Sequence, residues 1–114
     1  MIDVTPDRFE ALVADALDDI PPALGKLMDN VWVQVDAHGR PDLLGLYEGV
    51  PLTARDSGYA GMVMPDRITI FRRTICSICS SEDEVVAQVR QTVVHEVAHH
   101  FGIDDARLDE LGWA

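Results

Sequence analysis

The sequence predicts an α+β fold. Three patterns carry that expectation: an amphipathic helical repeat near the N-terminus, two stretches of period-two alternation in the middle, and a second helical stripe in the last third. Thr5 is suited to an N-cap and Pro6 to the first helical position. Phe9, Leu12, Val13, Ala16, Leu17 and Ile20 then recur on one helical face until Pro21-Pro22 interrupts it. "ALGKLMDN" has room for one further turn. Val31 to Asp36 alternates with Val31, Val33 and Val35 on one side, and Asp66 to Arg73 alternates through Ile68 and Ile70, so both predict strands. The glycine- and proline-bearing segment between them predicts mostly loop, with a short strand at Leu43 to Tyr47. Ser81 and Glu84 form the S-x-x-E pattern of a capping box. Behind it Val85, Val86, Val89, Val93, Val97 and Phe101 make a long helical stripe, which Gly102 ends. A short helix at Ala106 to Leu111 completes the order.

A length of 114 residues suits one domain, 1–114, and a hydrophobic fraction of 47% supplies its core. The net charge of −11, from 20 acidic and 9 basic residues, disfavours nucleic-acid phosphates and anionic membrane surfaces as partners. "MIDVTPDRFE" lacks the basic and apolar regions of a secretory signal, and no apolar run approaches the roughly 20 residues that span a bilayer. The expectation is a cytoplasmic protein with no nucleic-acid and no membrane partner. Cys76 and Cys79 are too few for a disulfide framework and have no second C-x-x-C, so reduced structural thiols are expected.

The chemistry concentrates in "VVHEVAHHFGIDD", Val93 to Asp105. His95 and His99 are four apart, so a helix places them on one face about 6 Å apart along its axis. Two imidazoles so placed converge on one zinc ion. Glu96 follows His95 and stands about 100° around the helix, beside the metal, where a carboxylate deprotonates a metal-activated water. A catalytic zinc takes three protein ligands and keeps one position open. Gly102 lets the chain reverse after the helix, and Asp105, ten residues beyond His95, returns as the third ligand. The full string is His-Glu-x-x-His-x-x-Gly-x-x-Asp, and its agreeing offsets make it far more specific than H-E-x-x-H alone.

That string resembles the zincin metallopeptidases, with the spacing of the metzincins and aspartate in place of their third histidine. The chain as a whole resembles the small bacterial "minimal zincin" family, through "LLGLYEGVPLT", "PDRITIFR", "TVVHEVAHHFGIDD" and "LDELGW". It departs from metzincins in carrying no methionine among the nine residues after Asp105. The resemblance implies a mixed sheet packed on the active-site helix, one Zn2+ per chain held by His95, His99 and Asp105, Glu96 as catalytic base, and a peptide or protein substrate. It also implies an edge strand that pairs with extended substrate, for which Ile68, Thr69 and Ile70 are the expected residues. Tyr47, Tyr59, His38 and His100 are the candidates for stabilising an oxyanion.

Blander roles compete for several of these residues. Asp105 or Asp104 equally suits the N-cap of the last helix. His100 points away from the histidine pair, towards the surface or a supporting position. Arg67, Arg72 and Arg73 suit charge protection of an exposed strand edge. Two other functions are compatible with the metal motif: a non-catalytic zinc-stabilised peptide-binding module, and a zinc endoribonuclease of the three-histidine kind. The carboxylate at Glu96, the aspartate at Asp105 and the negative charge all weigh against the ribonuclease.

Overall fold

The computed structural model describes residues 2–40, 42–56 and 65–111. The order is α1 (Pro6–Asp18), α2 (Pro22–Gly25), β1 (Val31–Asp36), β2 (Gly45–Glu48), a 3-10 turn (Leu52–Ala54), β3 (Asp66–Phe71), α3 (Arg72–Ser77), α4 (Glu82–His100) and α5 (Asp105–Leu111). The architecture is α+β, as predicted. Among the described residues, no helix is long and apolar enough to cross a membrane.

Local chemistry sets the two main helices. Thr5 caps α1 by accepting the Arg8 N–H, and Pro6 opens the first turn. Phe9, Leu12, Val13 and Ala16 are the buried face. Ser81 Oγ accepts the Glu84 N–H at the head of α4, while Glu84 Oε2 reaches back to the Ser80 N–H, one residue before its usual capping-box partner. Gly102, at φ +85°, ends α4 in a Schellman arrangement: its N–H donates to the His99 carbonyl and that of Ile103 to Ala98.

The three described strands run in the order β1-β3-β2, with β1 and β3 parallel and β2 and β3 antiparallel. Helices α1 and α4 pack together, and α4 also lies against β2 and β3. Their shared core joins Phe9, Leu12 and Val13 to Ile68 and Ile70 of β3 and to Val85, Val89 and Val93 of α4. Cys76 and Cys79 are free thiols buried in this core.

Two expectations need correction. The period-two pattern predicts a strand as far as Arg73, but the chain leaves the sheet after Phe71 and turns into α3, which alternation alone does not reveal. The second concerns the edge. β3 is bonded on both sides, so Ile68, Thr69 and Ile70 are buried at the centre of the sheet and no extended substrate can pair with them. The proposed cluster of edge arginines dissolves with it: Arg72 lies in α3, is buried, and donates to the Val4 carbonyl.

Candidate metal centre

Helix α4 brings His95 and His99 onto one face, with ring centroids 4.7 Å apart and planes at 78°. Gly102 reverses the chain, and Asp105 at the head of α5 returns to the pair. Its Oδ1 lies 3.0 Å from His95 Nε2 and 2.9 Å from His99 Nε2. Asp104, not Asp105, takes the capping role, since its Oδ1 accepts the Arg107 N–H. The Asp105 side chain is therefore free to meet the histidines.

Glu96 lies on the buried side of the same face. Its Oε1 stands 3.0 Å from His99 Nδ1. Metal-capable atoms of His95, Glu96 and His99 all fall within 4.8 Å of one another. The backbone that allows this is β2. A Cβ on Gly45 would lie 2.7 Å from Thr92 Cγ2 and 3.2 Å from Glu96 Cγ, so only glycine lets the strand sit this close to the helix.

The donor set fits a divalent cation. When His99 donates Nδ1–H to Glu96, its Nε2 turns a lone pair towards Asp105 Oδ1. His95 Nε2 faces the same oxygen. Lone pairs opposed at about 3 Å call for a proton or a cation between them. Two imidazoles and a carboxylate are a zinc ligand set, and ligand atoms of a tetrahedral zinc site stand about 3.4 Å apart, a few tenths of an ångström wider than here. The hydrogen bond with His99 holds the Asp105 carboxyl below the usual carboxylate range, against a smaller upward push from burial, and the His95 and His99 charges add to the lowering.

Beside this face runs a groove of about 330 Å³, lined by Leu43 to Tyr47 on one side and by His95, Glu96, His99 and Asp105 on the other. The strand beside it is β2, which among the described strands lies at the edge that β3 was expected to supply.

Of the oxyanion candidates, Tyr47 lines the groove, with its ring 6.4 Å from that of His99. Its hydroxyl is engaged, donating to Asp66 Oδ2. His100 is fully buried and not at the surface. Its Nδ1 meets Asp66 Oδ2 at 3.0 Å and its Nε2 accepts the Asp29 N–H at 3.2 Å, so neither ring nitrogen faces the groove. His38 is an exposed residue and does not line the groove. Tyr59 lies outside the described residues.

Sequence reasoning missed Gly45 and Asp66. A glycine inside a short strand is a readable sign of close backbone approach. Nothing local marks Asp66, whose carboxylate is buried at the start of β3 and also takes Arg55 at 2.8 Å and the Val50 N–H at 3.0 Å. Burial pushes that carboxyl up, but the hydrogen bonds from Tyr47, Val50, His100 and Arg55 together outweigh it and leave it below the usual carboxylate range.

Known proteins set this geometry in context. No curated protein matches the sequence. Among solved structures, a conserved hypothetical protein from T. thermophilus shares the fold with a TM-score of 0.55 at 22% identity, over 95% of this chain and 97% of that one. A family model described as zincin-like metallopeptidase matches residues 23–113, which takes in β1, β2, β3 and the whole histidine-bearing face of α4. The chain belongs to the zincin-like metallopeptidase family.

Proposed function

We propose that this protein is a zinc-dependent peptidase in which His95, His99 and Asp105 hold the metal and Glu96 is the catalytic base. The observation that carries the reading is convergence: both imidazole Nε2 atoms aim at Asp105 Oδ1 within 3.0 Å, with Glu96 alongside. Glu96 is also a metal-capable neighbour. It touches His99 through Nδ1, however, on the side of the ring away from Asp105, which favours Asp105 as third ligand and leaves Glu96 to handle protons.

When bound, zinc supplies Lewis acidity, which makes a coordinated water acidic near neutral pH and polarises a carbonyl. The chain's own groups do the rest. Among the described strands β2 lies at an edge of the sheet beside the groove, and an extended peptide laid along it is held beside α4 by main-chain hydrogen bonds. Leu43, Leu44 and Leu46 give the peptide apolar contact along the groove. The Glu96 carboxylate accepts the proton of the attacking water and passes it to the leaving amine. Because Glu96 is only 6% exposed, bulk water does not compete for that proton. The hydrogen bond from His99 Nδ1 holds the carboxylate in place.

The test is Glu96→Gln, which keeps the side chain's size and removes its basicity. Zinc content is expected to stay at one ion per chain while cleavage of a panel of unstructured peptides falls by at least about 100-fold. Equal cleavage by both proteins would remove Glu96 from the mechanism. Peptide binding without cleavage by either would make the protein a zinc-stabilised binding module.

A further inference from the structure

The groove does not end at the histidines. Tyr47 and His99 line it, and the same two residues also line a second recess of about 260 Å³. Pro51, Thr53, Gly102 and Ile103 make up most of the remaining lining of that recess. We infer that this recess is a selectivity pocket that receives a small apolar side chain of the bound peptide, next to the bond held over Glu96. The inference rests on the peptidase reading and extends it to substrate class.

The recess is built rather than incidental. Its wall, the 3-10 turn Leu52–Ala54, closes directly onto the end of α4. A Cβ on Gly102 would lie 2.1 Å from Thr53 Oγ1, so the glycine that ends the helix is also what lets the wall approach. The wall is pinned on both sides of Pro51 and Thr53. Before them, the Val50 N–H donates to Asp66 Oδ1 at 3.0 Å. After them, Arg55 donates through Nε to the Val50 carbonyl at 2.9 Å, and through its two terminal nitrogens to the Asp29 carbonyl at 3.0 Å and Asp66 Oδ2 at 2.8 Å. The Arg55 side chain is 8% exposed and that of Asp66 2%, so this anchor is shielded from solvent screening. A wall held this way keeps its shape and discriminates by size.

The lining also decides polarity. Neither lysine nor arginine is among the described residues that face the recess, so none of these offers an acidic side chain a cationic partner. Asp104 lines it too, and although its Oδ1 accepts the Arg107 N–H at the head of α5, its Oδ2 and its charge remain. An acidic side chain placed there would meet the Asp104 charge and no cation among the described residues.

The experiment uses zinc-loaded Glu96→Gln protein, so that binding is read without turnover, and a position-scanned library of unstructured peptides. One peptide position is expected to prefer Ala, Val and Leu over Asp by about 10-fold or more. Thr53→Leu narrows the recess and should move that preference towards Ala. Ile103→Ala widens it and should move the preference towards Phe. Zinc content and thermal melting check each variant, and if one misfolds the other decides. Peptides that bind without selectivity at any position, or with selectivity that a folded variant leaves unchanged, would overturn the pocket and leave the peptidase reading standing. If no peptide binds the zinc-loaded protein, that reading fails and the pocket with it.

Discussion

His99 and His100 are consecutive residues of α4, and the fold gives them opposite surroundings. His99 keeps 25% of its side chain exposed and lies between two carboxylates, with Glu96 at Nδ1 and Asp105 at Nε2. His100 has no exposed surface and lies between one carboxylate and one backbone donor, with Asp66 at Nδ1 and the Asp29 N–H at Nε2. A helical step of about 100° separates them. Around His100 every polar atom has a protein partner: the Nδ1–H tautomer donates to Asp66 and accepts from Asp29, and Arg55 balances the Asp66 charge. Around His99 and His95 there are more acceptors than donors, which is the arrangement a cation would complete. The same residue type thus acts as a strut where its hydrogen bonds close, and where they do not it is left suited to a ligand's part.

The comparison can be broken at its buried half first. Asp66→Ala takes from the Arg55 guanidinium, which is 8% exposed, its buried carboxylate, leaving it the Val50 and Asp29 acceptors, and removes acceptors from Tyr47 and His100. A loss of about 3–5 kcal/mol in urea unfolding is expected, as when one partner of a buried ion pair is removed. Asp105→Ala in metal-free protein should cost close to nothing, because that side chain is 74% exposed. A comparable loss at both sites would erase the distinction between strut and ligand.

The same carboxylate gives a pH dependence with a definite sign. The Asp66 carboxyl is lowered in the folded state, so its contribution is complete above the unfolded value of about 4 and is lost as pH falls through the lower folded value. Acid unfolding of the wild type should therefore steepen below about pH 4, and Asp66→Asn should flatten that limb. An identical acid limb in both proteins would show that Asp66 is not the group being titrated.

The ligand half is sharpened by metal. Zinc at 100 times its dissociation constant should stabilise the wild type by about 2.7 kcal/mol, seen as a higher melting temperature that a chelator reverses. His99→Ala should abolish that gain, while His100→Gln should lower stability and keep it. Retained stabilisation in His99→Ala would move the metal to another donor set. A smaller effect of about 1–3 kcal/mol is expected from Gly45→Ala, whose methyl group would press on Thr92 and Glu96. If crystals of that variant show β2 and α4 undisturbed, Gly45 has no part in placing the base.

Much of the site was legible before any tertiary information. The His95, Glu96, His99, Gly102 and Asp105 offsets are local to one helix and one turn, and helical geometry converts them into a shared face. Caps at Thr5 and Ser81 and the stop at Gly102 are local in the same way. What was not legible involves partners far apart in the chain. β3 read as an edge because alternation describes one strand's faces and not its neighbours. Helix α3 was hidden because Arg72 and Arg73 continue a strand-like pattern in a segment that tertiary packing bends away from the sheet.

The sequence by itself determined the helices, their caps, the metal-capable spacing and the α+β class, because each depends on residues within a few positions of one another. The tertiary structure alone decided that β2, and not β3, lies beside the groove, that Asp104 caps while Asp105 returns to the histidines, and that Asp66 holds Tyr47, Arg55 and His100. Strand order and buried polar partnerships are settled by which distant segments can close their hydrogen bonds together, and no single stretch of chain carries that information.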